Sequence, residues 1–228
     1  MARRIVMLGA PASGKGTQAA RLAGYFELPK LSTGALIRAE QCAGSDLGLL
    51  ADRYLAGGGF LPDDLIGQVM DRWLDDHGSE GFVLDGFPRT LPQAQRFEAT
   101  LANAGQQLDA AILLGSELGA LRKRCATRVH CSVCGGTFQV GDPSDLSAGD
   151  ACPEGGCSGV LASRPDDDAE TYAGRLANYQ NLTEPLIDYF SRGAVLRRID
   201  GSRSPDAVFE QILASLSAPA TAAESNQK

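Results

Sequence analysis

The sequence predicts an α/β fold built around a parallel sheet, and three observations carry that reading. Residues 5–17, Ile5-Val6-Met7-Leu8-Gly9-Ala10-Pro11-Ala12-Ser13-Gly14-Lys15-Gly16-Thr17, run from an apolar strand through a glycine-punctuated loop into helix-forming sequence. Residues 81–85 are a continuous apolar run ending in Asp85, the pattern of a buried parallel strand that emerges at the ligand edge of a sheet. Further buried-strand runs at 109–114 and 194–201 are separated by stretches of helical periodicity, as consecutive strand–helix units require.

The first stretch organises the rest. Glycine lacks a Cβ, so backbone N–H groups around Gly14 and Gly16 can converge on one anion, and the helix opening there points its positive end at the same spot. Lys15 adds a mobile charge able to reach outer phosphates. The bland alternative is a glycine-rich surface turn with a stray lysine. A strand before the loop and a helix after it, to about Phe26, count against that alternative.

The next elements follow in order. Leu31-Ser32-Thr33 reads as a short extended piece before a helix that Ser32 or Thr33 can cap. Helical spacing recurs over 46–57 through Leu47, Leu50 and Leu55, and over 63–77 through Leu65, Val69, Trp73 and Leu74, with a glycine-rich turn between. After the strand at 81–85, Asp85 is placed to orient magnesium-bound water and Arg89 to clamp a phosphate in two-pronged fashion, while Pro92 and Gln93 start a helix. A helix is predicted from Glu117 to about Arg128, which puts Arg124 and Arg128 on one face. Arg164 and acidic residues 166–168 lead into a helix that carries Arg175, with Leu182, Leu186, Ile187, Tyr189 and Phe190 as its apolar side. Val208, Ile212, Leu213 and Leu216 mark a closing helix, and residues 217–228 are expected to be disordered.

Composition bounds the function. The 228 residues suit one domain with insertions, or two at most, and 43% hydrophobic with 21% charged residues reads as soluble and globular. No apolar stretch approaches the roughly 20 residues of a membrane helix, and no targeting segment is read, so the expected compartment is the cytoplasm and no membrane partner is expected. A net charge of −7 argues against a nucleic-acid partner, whose affinity rests on clustered cations. The basic residues are 17 Arg and 4 Lys, a bias that suits planar phosphate clamps.

Six cysteines divide into two kinds. Cys42 and Cys125 lie in helical pattern and are expected to be small core residues. Cys131-x2-Cys134, then 17 residues, then Cys152-x4-Cys157 has zinc-ribbon spacing, with Thr137-Phe138-Gln139-Val140 as a strand between the knuckles. Four thiolates leave no open position for substrate, so the ion is expected to be structural, with iron as the alternative metal. An insert of about 35 residues with few large apolar side chains buries too little to hold itself together, which gives the metal its physical motive.

Gly16 between Lys15 and Thr17 gives the loop a Gly-x-Pro-x-x-Gly-Lys-Gly-Thr form that resembles the nucleoside monophosphate kinases. With the 81–90 stretch and the ribbon, the resemblance extends in consistent order from residue 3 to about 216, and is strongest to long-lid, zinc-containing adenylate kinases. It implies an α/β P-loop three-layer fold with a five-stranded parallel sheet, a helical NMP-binding insert (32–61) and a zinc-ribbon lid (129–165). The core would comprise 1–31, 62–128 and 166–216. The implied reaction is Mg-ATP plus AMP giving two ADP, in a monomer with magnesium and structural zinc.

The same resemblance distributes the site residues. Ala12, Ser13, Gly14, Lys15, Gly16, Thr17, Arg124, Thr137, Phe138 and Arg203 fall on the ATP side. Thr33, Arg38, Gly59, Phe60, Leu61, Gly86, Phe87, Pro88, Arg89, Gln93, Arg164 and Arg175 fall on the AMP side. Lys15, Arg89, Arg128, Arg164 and Arg175 are the implied catalytic group, and Asp85 would hold magnesium through water. The chain departs from the family pattern at Ala12, usually glycine, at Ala35, usually aspartate, and in the four-residue gap of the second cysteine pair, usually two. Two other readings stand beside it: a kinase for UMP, CMP or GMP, and a zinc-ribbon protein that uses its P-loop only for binding or regulation.

Overall fold

The computed structural model describes residues 3–55, 60–131, 133–141, 146–164 and 167–217. Among the described residues, β1 (Arg4–Leu8), β2 (Lys30–Ser32), β3 (Phe82–Asp85), β4 (Ala110–Gly115) and β8 (Leu196–Asp200) form one parallel sheet in the order β2-β3-β1-β4-β8. β1 is central, with Val6 opposite Leu84 of β3 on one side and Ala111 of β4 on the other.

Successive residues of a strand point to opposite faces, and here both faces are covered. Ile5 and Met7 pack with Leu22, Val83, Ile112 and Ile212 beneath α1 (Lys15–Phe26) and α9 (Pro205–Ser217). Val6 and Leu8 pack on the other face with Met70, Phe97 and Phe190 of α4 (Asp63–His77), α5 (Leu91–Asn103) and α8 (Pro185–Arg192). Burial on both sides is why these strands read as unbroken apolar runs instead of alternating ones.

Two insertions leave this core. The first contains α2 (Thr33–Ala43) and α3 (Asp46–Leu55), which meet so closely at Gly48 that a Cβ there would lie 2.3 Å from the Glu40 carbonyl oxygen. The second contains β5 (Arg128–Cys131), β6 (Thr137–Gln139) and β7 (Leu161–Ser163), an antiparallel sheet in the order β6-β5-β7. The tail beyond Ser217, expected to be disordered, and the loop position Gly59 lie outside the described residues.

The structure corrects four sequence-based expectations. Helix α6 (Leu118–Ala126) ends before Arg128, because Val129 is drawn into the ribbon sheet opposite Phe138 and Ser163, and the Val140 amide bonds to the Thr127 carbonyl. Arg124 and Arg128 therefore do not share a helix face. The helix carrying Arg175 is not continuous: α7 (Ala169–Asn178) gives way to a π-helical turn at Tyr179–Thr183, and α8 then starts at Pro185, which has no N–H to continue the helical ladder. The extra residue in that turn rotates Leu182 to the exposed surface, whereas Leu186 and Phe190 stay in the core. Cys42 is exposed near the end of α2, and only Cys125 is a buried core thiol.

Candidate active site

The loop between β1 and α1 owes its course to residues without bulk. Gly9 has φ 141°, and a Cβ there would collide with Ser13 Oγ at 2.7 Å and the Leu114 carbonyl oxygen at 2.8 Å. Gly14 caps α1 with φ 94°. Ala12 also adopts a left-handed conformation, φ 65°, which costs an alanine about 1–2 kcal/mol. Its methyl group rests on a cluster of Ala10, Leu121, Cys125, Tyr172 and Leu176, so the surroundings accommodate the departure from glycine.

Lys15 folds back onto this loop. Its Nζ donates to the carbonyls of Gly9 at 2.7 Å and Ala10 at 2.8 Å and to Ser13 Oγ at 3.4 Å. Burial pulls its pKa down to about 7; Asp85 opposes the fall, and the positive charges of Arg89, Arg175 and Arg128 add to it. These five groups, from distant parts of the sequence, thus meet around one loop. Asp85 ends β3 beside Gly16, where a Cβ would come within 3.3 Å of its Oδ2, and it accepts a hydrogen bond from Ser32 Oγ at 3.3 Å. Glycine after the lysine therefore leaves space for the carboxylate.

Asp167 binds two of the arginines together. Arg128 donates Nε to its Oδ2 at 2.7 Å and Nη2 to its Oδ1, and Arg175 Nη1 reaches Oδ1 at 3.3 Å. The carboxylate is only 6% exposed. Burial alone would raise its pKa, but the hydrogen bonds and charge of Arg128, then the charge of Arg175, hold it below the usual carboxylate range. By sequence, residues 166–168 read only as a favourable helix start; Asp168 does that work, accepting from the amides of Glu170 and Thr171 at 3.0 Å. A surplus of arginines on both sides of the triplet was the available signal that one of its acids would be needed for charge balance.

The second phosphate-clamping stretch faces the helical insert. Arg89 Nε donates to the Gly86 carbonyl at 2.7 Å, and its guanidinium stacks 4.9 Å from the Phe60 ring centre. Gly86, φ 87°, lies against Thr33, whose Oγ1 donates to the Gly86 carbonyl at 2.9 Å. Ser32 rather than Thr33 caps α2, accepting from the Ala35 amide. Thr33, Ile37, Leu61, Gly86, Arg89 and Gln93 line a cavity of about 20 Å³ here. That volume is far below the several hundred Å³ of ordinary ligand pockets, so an occupant requires the insert to move outward. Arg38 folds over Gly34 on its own helix, with Nη1 3.3 Å from the position a Cβ would take. Phe87 is a core residue packed on Phe97, and the Phe87–Pro88 peptide is cis.

Two further residues escaped the sequence reading. Asp63 accepts from Gln93 Nε2 at 2.7 Å and from Thr90 Oγ1 at 2.9 Å, and Thr183, in the π-helical turn, donates to the Arg89 carbonyl at 2.9 Å. The remaining expected residues are dispersed around the loop. Arg124 holds the carbonyls of Gly201 at 2.9 Å and Ser202, Arg203 pairs with Asp200 on the surface, and Arg164 donates to Thr137 Oγ1 at 2.8 Å. Phe138 packs inside the ribbon against the cluster of Val129, Cys131, Cys152 and Leu161. A larger depression, about 350 Å³, lies between the C-terminal ends of α4 and α5, beside Gly78 and Gln106. Arg4, at the start of β1, bonds to both residues, which places that depression at the opposite sheet edge from Lys15.

The four clustered cysteines converge as their spacing required. Their sulfur atoms all lie within 4.8 Å of one another, with Cys131–Cys157 and Cys134–Cys152 at 3.6 Å. A tetrahedral ion with bonds of about 2.3 Å separates its sulfurs by about 3.8 Å, whereas a disulfide needs about 2.05 Å. The amides of Val133 and Cys134 point at Cys131 Sγ, that of Gly136 at Cys134 Sγ and that of Gly159 at Cys157 Sγ. Such donors stabilise thiolates, so the donor set fits a metal ion.

The sequence pattern of the adenylate kinase family, described as "Adenylate kinase", matches residues 7–195. The chain belongs to the adenylate kinase family. It is 40% identical over 211 residues to the adenylate kinase of Lachnoclostridium phytofermentans, covering 92% of this chain and 96% of that protein. The adenylate kinases of Thermodesulfovibrio yellowstonii and Syntrophobacter fumaroxidans are also 40% identical, over 215 and 214 residues, covering 93% of this chain and 98% and 99% of those proteins. As a member of the adenylate kinase family the chain is a phosphotransferase that acts on AMP, and a purely binding role for the loop is set aside. Among the described residues no helix is long and apolar enough to cross a membrane.

The Lys15 environment makes stability depend on pH. The unfolded chain retains a lysine pKa near 10.5, so between pH 7 and 10.5 it binds a proton that the folded protein has lost. Unfolding free energy from this group should therefore rise with pH through that window. Urea denaturation of the wild type and Lys15→Met from pH 7 to 10 should show the wild type gaining on the variant; parallel curves would contradict the assignment.

Proposed function

We propose that Mg-ATP and AMP bind end to end across the loop, and that an in-line transfer of the terminal phosphoryl group gives two ADP. The observation that carries this reading is the convergence of Lys15, Arg89, Arg128 and Arg175 with Asp85 around a single anion-shaped loop. Loose phosphoryl transfer asks the protein for positioning and charge neutralisation rather than for a covalent intermediate. Every residue assigned here does one or the other.

On the donor side, residues 12–17 supply backbone amides and Lys15 releases its carbonyl contacts to meet the phosphates. Arg124 and the 201–203 turn it holds would border the adenine, with Thr137 and Phe138 arriving as the ribbon closes. On the acceptor side, Arg38, Arg89 and Arg175 grip the AMP phosphate, and Thr33, the 59–61 backbone and Gln93 meet the base. Arg128 and Arg164 complete the ring around the migrating group, which obliges Arg128 and Arg175 to exchange Asp167 for phosphate. Magnesium entering with ATP would be held through water by Asp85 and neutralises phosphate charge. With Ala35 in place of a second carboxylate, Asp85 acts there without that helper. Closure of both insertions excludes water that would otherwise accept the phosphoryl group.

The four cysteines would hold one zinc ion that fixes the ribbon and takes no part in the chemistry. The protein works as a monomer in the cytoplasm, with ATP, AMP and ADP as its partners. An acidic chain without a basic stripe supports the absence of a nucleic-acid partner.

Lys15→Met and Arg89→Ala should each lower kcat by about 10²-fold or more while the circular-dichroism spectrum is retained, and near-normal turnover in either variant would remove that residue from the site. For the ribbon, metal analysis of protein purified under reducing conditions should return one zinc per chain. Cys134→Ser should lose it and unfold at lower temperature, whereas a metal-free wild type of full stability would refute the structural ion.

A further inference from the structure

A glutamine amide offers two N–H donors and two carbonyl lone pairs. In Gln93 one donor is given to Asp63 Oδ1 at 2.7 Å, and one lone pair accepts the Arg89 backbone N–H at 2.7 Å. Among the described residues nothing else bonds to this side chain, which is 4% exposed and lines the acceptor cavity. One donor and one acceptor therefore remain for an occupant.

Those two groups complement the pairing edge of a 6-aminopurine, which accepts at N1 and donates from N6. They complement equally well the edge of a 6-oxopurine, which donates from N1 and accepts at O6, provided that the amide turns by 180°. Here it cannot turn. A reversed amide would aim Oε1 at the Asp63 carboxylate, which only accepts, and its NH2 at the Arg89 N–H, which only donates. Burial leaves no solvent to repair the mismatch. Asp63 is itself fixed, since its second oxygen accepts from Thr90 Oγ1 at 2.9 Å, and Thr90 also caps α5 by accepting from the Gln93 amide at 3.3 Å.

We propose that Asp63 is the specificity-determining positioning residue of the acceptor site: it locks the Gln93 amide in the one orientation that fits adenine and rejects 6-oxopurine monophosphates. The inference rests on the reading that Gln93 meets the acceptor base. The residue opens α4, directly after the helical insert, so the lock also ties base selection to the segment that must move when the acceptor enters.

The test compares kcat/KM for AMP and for IMP, with ATP as donor, in the wild type, Asp63→Ala and Gln93→Leu. In Asp63→Ala the AMP-to-IMP ratio should fall at least about tenfold, partly through an absolute gain on IMP, while the KM for ATP is unchanged. A merely structural role would lower both acceptors together and leave the ratio in place, and that result overturns the lock. Should Asp63→Ala not fold, Asp63→Asn provides the same readout, because its amide can present either oxygen or NH2 to Gln93. A ratio lowered in Gln93→Leu but preserved in the Asp63 variants removes the lock alone. A ratio unchanged in Gln93→Leu removes the acceptor reading of Gln93, and the lock with it.

Discussion

Positive charge crowded around one loop is the constraint on which this structure depends. Burial depresses the Lys15 pKa to about 7, and the nearby charges of Arg89, Arg175 and Arg128 add to the fall, an arrangement that folding alone does not favour. Two carboxylates make it tolerable. Asp85 stands beside the loop, and the buried Asp167 takes up Arg128 and Arg175 in a three-way ion pair. Buried ion pairs contribute little net stability because desolvation offsets attraction, so their value here lies in keeping cations assembled where an anion will arrive. In the proposed reaction an incoming oligophosphate would replace Asp167 as the counter-charge.

The sheet makes that assembly possible by bringing distant sequence to one edge. β1 and β3 are neighbours, so the loop after Leu8 and the Gly86–Arg89 turn open side by side. Around this rigid edge the two insertions have separate sources of order. The helical insert depends on close packing, as at Gly48, and on the polar knot of Asp63, Thr90 and Gln93. The ribbon has a core of Val129, Leu161 and two of its cysteines, too small to stand alone without a metal-sized knot of sulfurs.

Much of this was legible in the sequence, for physical reasons that can be named. Strands buried on both faces appear as apolar runs, and the phosphate loop and the cysteine knuckles are local motifs whose geometry follows from adjacent residues. What stayed hidden depends on contacts between distant segments. Thr127-Arg128-Val129 fits a helix pattern until Val129 finds partners in β6 and β7, and the π-helical turn before Pro185 carries no periodic signature beyond the displaced Leu182. Asp63 and Asp167 look like ordinary acids at helix starts. Their partners, Gln93 on α5 and Arg128 on β5, are assigned only by the folded chain.

In the proposed mechanism Asp167 holds Arg128 and Arg175 in place of a phosphate chain. A crystal structure with a bisubstrate compound, two adenosines joined by an oligophosphate, tests it most directly. Both guanidinium groups are expected on the bridging phosphates together with Lys15 and Arg89, with the ribbon closed over them. Arginines still paired with Asp167 and turned away from the phosphates would contradict it.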